Sequence, residues 1–168
     1  NADGDEVEAC GNGTRCVADL LLRETGRQAT VIETVAGLLV AERESADRIK
    51  VDMGEPRLDW NEIPLAQAMD TSHINLTVDS LSDPCAVNMG NPHIVFFVPD
   101  AASIPLERLG PQIEHHPIFP QRANVNVAQV LDTRQIRLRV WERGVGITRA
   151  CGSGACATVV AAHRRALV

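Results

Sequence analysis

The chain carries two nearly identical Cys-Gly-x-Gly turns, Ala9-Cys10-Gly11-Asn12-Gly13 near its start and Ala150-Cys151-Gly152-Ser153-Gly154 near its end. Each is followed by an apolar segment that reads as a helix. A cysteine at a Gly-rich helix start sits beside backbone N–H groups that have no intrahelical acceptor, at the positive end of the helix dipole. That setting favours thiolate and lowers a thiol pKa from its free value of about 8.5. One such turn suggests a nucleophile. Two of them, in the two halves of one chain, suggest paired thiols that face one substrate from opposite sides.

The segments between the turns fit an α+β chain of two similar lobes, each placing its helix against a sheet. After the first turn, 14–24 reads as a helix with Val17, Ala18, Leu20 and Leu21 inward and Gly26 as its stop. β-type runs follow at 29–34, 38–43 and 48–53, with turns at Gly37 and at 45–47. The Pro-containing connection from Gly54 to about Ser72 marks a lobe boundary, dividing the chain into 1–55 and 56–168. Strands are expected at 74–78, 93–98, 123–130 and 135–141, with a tight turn at 88–92 and a short helix over 104–113. The second Gly-rich turn opens a helix of small residues over 155–165.

Composition narrows the partners. Net charge is −6 with no basic stripe, and three Phe, two Trp and no Tyr offer little for base stacking, so nucleic acid is not an expected partner. No apolar run approaches the length of a membrane span, and a cytoplasmic setting is expected. Five cysteines is an odd number for a disulfide scaffold. The cysteines form no C-x-x-C and the five histidines make no ligand spacing with them, so no metal is expected. His115-His116-Pro117 reads as a surface loop. Cys16, Cys85 and Cys156 read as small buried side chains. The chain lacks an initiator Met and begins almost at its first motif, which suggests a fragment of a longer protein.

Two such thiols suit the removal of an amino-acid α-proton. Many enzymes do this with pyridoxal phosphate held by a lysine. The sole lysine, Lys50, lies in an alternating strand pattern beside Arg48 and Asp52 and reads as a solvated face. No cofactor is therefore expected. One cysteine as thiolate can take the proton from one face while the other, as thiol, donates to the opposite face, inverting configuration. Helix N-termini can hold the substrate carboxylate, and glycines permit close approach.

Five runs together resemble the diaminopimelate epimerase family: Asn1-Ala2-Asp3-Gly4, the first cysteine turn extended through Thr14-Arg15-Cys16, Met89-Gly90-Asn91-Pro92-His93, Trp141-Glu142-Arg143-Gly144, and the second cysteine turn extended to Ala155. They occur in that family's order and span essentially the whole chain. The resemblance implies a pyridoxal-independent, metal-free isomerase interconverting LL- and meso-diaminopimelate in lysine and peptidoglycan precursor biosynthesis. It also implies two α/β lobes, each a mixed or antiparallel sheet wrapped on a central helix, with the active site in the cleft between them.

Carried over by motif, the resemblance implies that Cys10 and Cys151 are the acid/base pair, assisted by His93 and Glu142. It implies that Gly11, Asn12, Gly152 and Ser153 hold the reacting amino-acid end. Asn1, Asn91, Asn124, Glu142 and Arg143 match substrate-binding positions, with Asn126 a close competitor for the role of Asn124. A substrate with two amino-acid ends needs a distal carboxylate partner, which the forked donors of Arg143 suit. The expected partners are this small molecule and, as an open alternative to a monomer, a second copy in a homodimer. The family also has a segment ahead of Asn1 and another after the second helix, so the first lobe is expected to be incomplete. Two other readings stay open: a related racemase acting on proline, hydroxyproline or histidine, and a thiol-disulfide redox protein using Cys10 and Cys151.

Overall fold

The computed structural model of the chain describes residues 10–168. Cys10 is the N-cap of α1 (Gly11–Thr25), with extended backbone at φ −137° and ψ 94°, and Gly26 closes the helix in the left-handed region. The helix lies on a three-stranded antiparallel meander of β1 (Ala29–Thr34), β2 (Gly37–Ser45) and β3 (Arg48–Asp52). Alternation along β2 buries Leu39 and Ala41, as the two-residue period of a strand requires. The helix turns Gly11, Thr14, Ala18 and Leu22 inward.

That stripe corrects the expected one. Ala18 is buried and Leu21 half-buried, but Val17 is 48% exposed and Leu20 57% exposed. The inward stripe is set by Thr14, Ala18 and Leu22, spaced by four. Val17 sits one residue from it, roughly 100° round the helix. Cys16 is also exposed and Cys156 only half-buried, whereas Cys85 is buried as expected.

A loop segment then leads to a small hairpin, β4 (Thr77–Val78) with β5 (Leu81–Ser82), where a longer strand at 74–78 was expected. The main sheet follows: β6 (Cys85–Asn88), β7 (Pro92–Phe97), β8 (Asn124–Asp132), β9 (Gln135–Glu142) and β10 (Gly146–Thr148), in the spatial order β10-β9-β8-β7-β6. The chain is thus α+β. β7 and β8 are parallel and the other pairs antiparallel. The crossover between β7 and β8 carries α2 (Leu106–Glu114), and α3 (Gly152–Arg164) ends the fold. The edge strands β6 and β10 have no counterpart among the expected elements. β6 is only four residues long and buried throughout, so no alternation marks it, and β10 has three residues.

The sheet is covered on both faces, and strand parity assigns its side chains. Ile94 and Phe96 of β7, with Val125 and Val127 of β8, pack in one core with Leu106, Leu109 and Ile113 of α2. Val95 and Ala128 pack in the other with Ala157 and Ala161 of α3. His93, Asn124 and Asn126 fall on this second parity, facing α3. In the parallel register His93 lies opposite Asn124 and Val95 opposite Asn126. Three polar side chains thereby gather under the start of α3.

Candidate active site

The two cysteine turns fold into the same local structure. Cys151 caps α3 with φ −135° and ψ 114°, and its sulfur accepts from Gly154 N at 3.4 Å. The Cys10 sulfur accepts from Gly13 N at 3.3 Å. Thiol N-caps satisfy one of the unpartnered first-turn donors as a Ser or Asp cap would. The two caps also meet. A Cβ placed on Gly11 would lie 3.5 Å from Gly152 Cα, and one on Gly152 would lie 3.6 Å from Gly11 Cα. The amide of Asn12 donates to the Ala150 carbonyl at 3.1 Å, fastening α1 to the approach to α3. Its Oδ1 accepts from Arg15. Two helix N-termini therefore converge, each headed by a cysteine.

Their surroundings differ. Cys10 is exposed and Cys151 half-buried. Burial pushes the Cys151 thiol above its ordinary range; hydrogen bonds from Ser153 and Gly154 N pull the other way, and the nearby Glu142 adds to the rise. The helix-start argument alone predicts a lowered value, and at Cys151 desolvation outweighs it.

Behind Cys151 lies a buried polar chain. Ser153 Oγ is 3.5 Å from the Cys151 sulfur and 3.0 Å from His93 Nε2. Asn91 Oδ1 is 2.9 Å from the same ring nitrogen, and Asn126 Nδ2 is 3.1 Å from His93 Nδ1. His93 and Asn126 are fully buried. Burial, reinforced by the Arg143 charge, holds the His93 pKa down to about 3. The ring is neutral near neutral pH, so it serves as a hydrogen-bonding hub between Asn126 and Ser153.

Glu142 and Arg143 stand at the end of β9. Glu142 accepts a hydrogen bond from Thr148 of β10. The backbone N–H of Arg143 donates to Asn124 Oδ1 at 2.9 Å, and its guanidinium donates to the Gln121 carbonyl at 3.0 Å. Asn124 Nδ2 in turn donates to the Pro92 carbonyl at 2.9 Å. Both ends of the Asn124 amide therefore brace backbone, joining the Asn91 turn to the Arg143 turn.

Glu114, which no sequence motif marks, holds the same turn. Its Oε2 accepts from Trp141 Nε1 at 2.7 Å and its Oε1 from Gly144 N at 3.0 Å, with the Arg122 guanidinium 3.6 Å away. The residue is 2% exposed. The Trp141 ring fits there because position 110 is glycine: a Cβ on it would lie 2.5 Å from the indole. This carboxylate clamps the turn bearing Glu142 and Arg143 from both sides. The only hint in the sequence was a carboxylate at the end of an amphipathic helix.

The structure brings together Cys10, Gly11, Asn12, Cys151, Gly152 and Ser153 at the helix starts. It links His93, Asn91 and Asn126 to Cys151, and it sets Glu142, Arg143 and Asn124 alongside. Asn1 lies outside the described residues. Among the described residues no group of three or more His, Cys, Asp or Glu side chains is placed to hold a metal ion. No described helix is long and apolar enough to cross a membrane.

Known proteins share this chain's pattern. Residues 1–58 and 85–168 match the diaminopimelate epimerase family. The chain is 60% identical over 169 residues to the diaminopimelate epimerase of Rhizorhabdus wittichii, covering all of this chain and 59% of that protein. It is 56% identical over 167 residues to the diaminopimelate epimerase of Rhodospirillum centenum, covering 99% of this chain and 57% of that protein. The chain thus spans less than two thirds of the length of these curated relatives. Its fold is similar to a crystal structure of a Bacillus anthracis phenazine biosynthesis protein of the PhzF family, with a TM-score of 0.60, 19% identity, and coverage of 95% of this chain and 58% of that one.

Proposed function

Because the chain belongs to the diaminopimelate epimerase family, we propose that its protein interconverts LL- and meso-diaminopimelate by a pyridoxal-independent, two-cysteine mechanism. The observation that carries this reading is the convergence of two cysteine-capped helix starts at touching glycines. An α-carbon held at the junction meets one sulfur on each face. The first-turn N–H groups of both helices are aimed at the substrate carboxylate, where charge builds as the proton leaves.

The reaction needs one thiolate and one thiol. Burial and Glu142 raise the Cys151 pKa, which suits Cys151 as the proton donor and Cys10 as the base in the turnover starting from this form. The reverse turnover starts from the opposite protonation of the pair. Glu142 and His93 assist Cys151, and Arg143 with Asn91 recognises the remaining amino-acid end. The sole lysine favours this reading over pyridoxal chemistry: Lys50 is exposed on β3 and pairs with Glu42 at 3.7 Å.

The proposal includes two lobes, 1–55 and 56–168, each bearing one catalytic cysteine, Cys10 and Cys151 respectively. It includes a role in lysine biosynthesis in the cytoplasm, where reducing conditions keep both thiols free. A second copy in a homodimer belongs to the same proposal, on the strength of the apolar side chains exposed on β1 and β2.

The test is α-hydrogen exchange in heavy water without added cofactor. Deuterium should enter diaminopimelate at the α-carbon as the isomers interconvert. Exchange that needs pyridoxal phosphate, or that occurs with proline, hydroxyproline or histidine instead, would overturn the assignment.

A further inference from the structure

Asn126 is a polar residue in an apolar layer. It is fully buried on the face of β8 that packs with Val95 and Ala128 against α3. Its Oδ1 is buried with no hydrogen-bond partner among the described residues. That oxygen lies 3.1 Å from where a Cβ at position 154 would stand. An unpaired buried acceptor is costly, so stability alone favours an apolar side chain here. What the amide does is donate to His93 Nδ1 at 3.1 Å.

The donor and acceptor inventory then determines the ring. An amide nitrogen can only donate and an amide oxygen can only accept. Nδ1 faces the Asn126 nitrogen, so it must be the bare acceptor. In a neutral ring Nε2 then carries the hydrogen, and it faces the acceptor Asn91 Oδ1 at 2.9 Å. Ser153 Oγ, 3.0 Å from that Nε2–H, is on its accepting side. Its own hydrogen is left for the Cys151 sulfur at 3.5 Å. With the opposite tautomer, Nε2 would become an acceptor and draw the serine hydrogen to itself, away from sulfur. No such relay backs Cys10: among the described residues its sulfur accepts only from Gly13 N.

We propose that Asn126 is a positioning residue for Cys151: it selects the Nε2–H tautomer of His93, and through it turns the Ser153 hydroxyl to donate to the Cys151 sulfur. The consequence for turnover rests on the epimerase reading above; the tautomer does not. The chain of contacts supports a thiolate at Cys151 when its proton has left, without adding a charge to a buried site.

The experiment is nitrogen NMR on protein labelled with ¹⁵N-histidine, with the His93 signals assigned by their loss in His93→Gln. In the unsubstituted protein Nδ1 should appear bare and Nε2 protonated. Asn126→Leu keeps the volume and removes the donor at Nδ1, leaving only the Asn91 acceptor at Nε2 to hold the tautomer, so an Nδ1–H fraction should appear beside the Nε2–H form. kcat should fall about tenfold, the worth of one buried hydrogen bond, with KM changed less than twofold. Asn126→Asp presents acceptors only and should move the proton to Nδ1, with kcat falling at least as far. If the aspartate variant fails to fold, the leucine variant carries the test. A protonated Nδ1 in the unsubstituted protein would overturn the proposal. So would an Asn126→Leu protein that keeps the Nε2–H tautomer and a kcat within twofold. A tautomer that shifts as expected in a protein without epimerase activity would overturn the functional reading and support the tautomer assignment.

Discussion

The first and last helices begin with the same cap and end up in different environments. Cys10 and Cys151 share backbone angles to within 20° in ψ and 2° in φ, and each sulfur accepts from the N–H three residues on. Yet Cys10 is exposed, while Cys151 backs onto Ser153, His93 and Asn126, of which His93 and Asn126 are fully buried. Local geometry is copied and electrostatics is not. The cap depends on four consecutive residues, whereas desolvation depends on what the rest of the chain lays over them. An acid/base pair gains from this asymmetry, because two identical thiols at one carbon would compete for the same protonation state.

The largest expected effect tests whether the two caps share one task. Cys10→Ala and Cys151→Ala should each lower kcat for diaminopimelate by at least the 10²–10⁴-fold typical of one general acid or base. Steady-state rates starting from each isomer would measure it. Near-normal turnover in either variant would break the pairing.

The buried relay makes the second half of the site acid-sensitive. His93 ordinarily titrates at 6.5 and is held to about 3 in the fold. Between those values the unfolded chain takes up a proton that the native state refuses. Stability is therefore full above 6.5 and declines as pH falls toward 3, on the order of 1 kcal/mol per pH unit. Urea unfolding across this range should show the slope, and His93→Gln should flatten it. An unchanged slope in that variant would assign the acid sensitivity to other groups.

Glycines at equivalent positions should respond differently to a methyl group. At Gly154 a Cβ would meet Asn126 Oδ1 at 3.1 Å and Cys151 Sγ at 3.3 Å, while at Gly13 its nearest neighbour is Cys10 Sγ at 3.4 Å on an exposed cap. Gly154→Ala should cost about 1–3 kcal/mol as overpacking. Gly13→Ala should stay within about 0.5 kcal/mol, helped by the better helix propensity of alanine. Thermal unfolding of both would compare them directly, and equal losses would mean that the relay packs no tighter than open surface.

The smallest effect is on the face of α1 that the helix turns outward. Val17→Lys and Leu20→Lys should each change stability by no more than about 0.5 kcal/mol. In contrast, Leu22→Ala, at a 2% exposed position, should cost about 2–5 kcal/mol. A large loss at Val17 or Leu20 would show that this face is covered in solution.

Much of the site was legible in the sequence because it is built from short, continuous signals. The two cysteine turns, the Asn91-Pro92-His93 turn and the Trp141–Gly144 run each fold from neighbouring residues. The meander β1–β3 was legible from period-two alternation. The edge strands β6 and β10 were not: one is buried along its whole length and the other is too short to carry a period. The inward stripe of α1 was misassigned because hydrophobicity favours Val17 and Leu20, whereas packing on the sheet uses Thr14, Ala18 and Leu22.

The same division runs through the chemistry. By itself the sequence determined that two thiols would cap two helices, since a cap is a bond between residues three apart. Alternation within one strand also puts Asn124 and Asn126 on the same face, but it took the parallel register of β7 and β8 to add His93 to that face. Only the tertiary structure decided that Asn126 grips His93 while Asn124 braces the Arg143 turn. Only it recruited Glu114 from a helix 27 residues before Trp141, and only it raised the Cys151 pKa where the local dipole argued for lowering it. Hydrogen-bond geometry within a turn is local, but burial is a sum over everything the chain folds against, and no segment contains that sum.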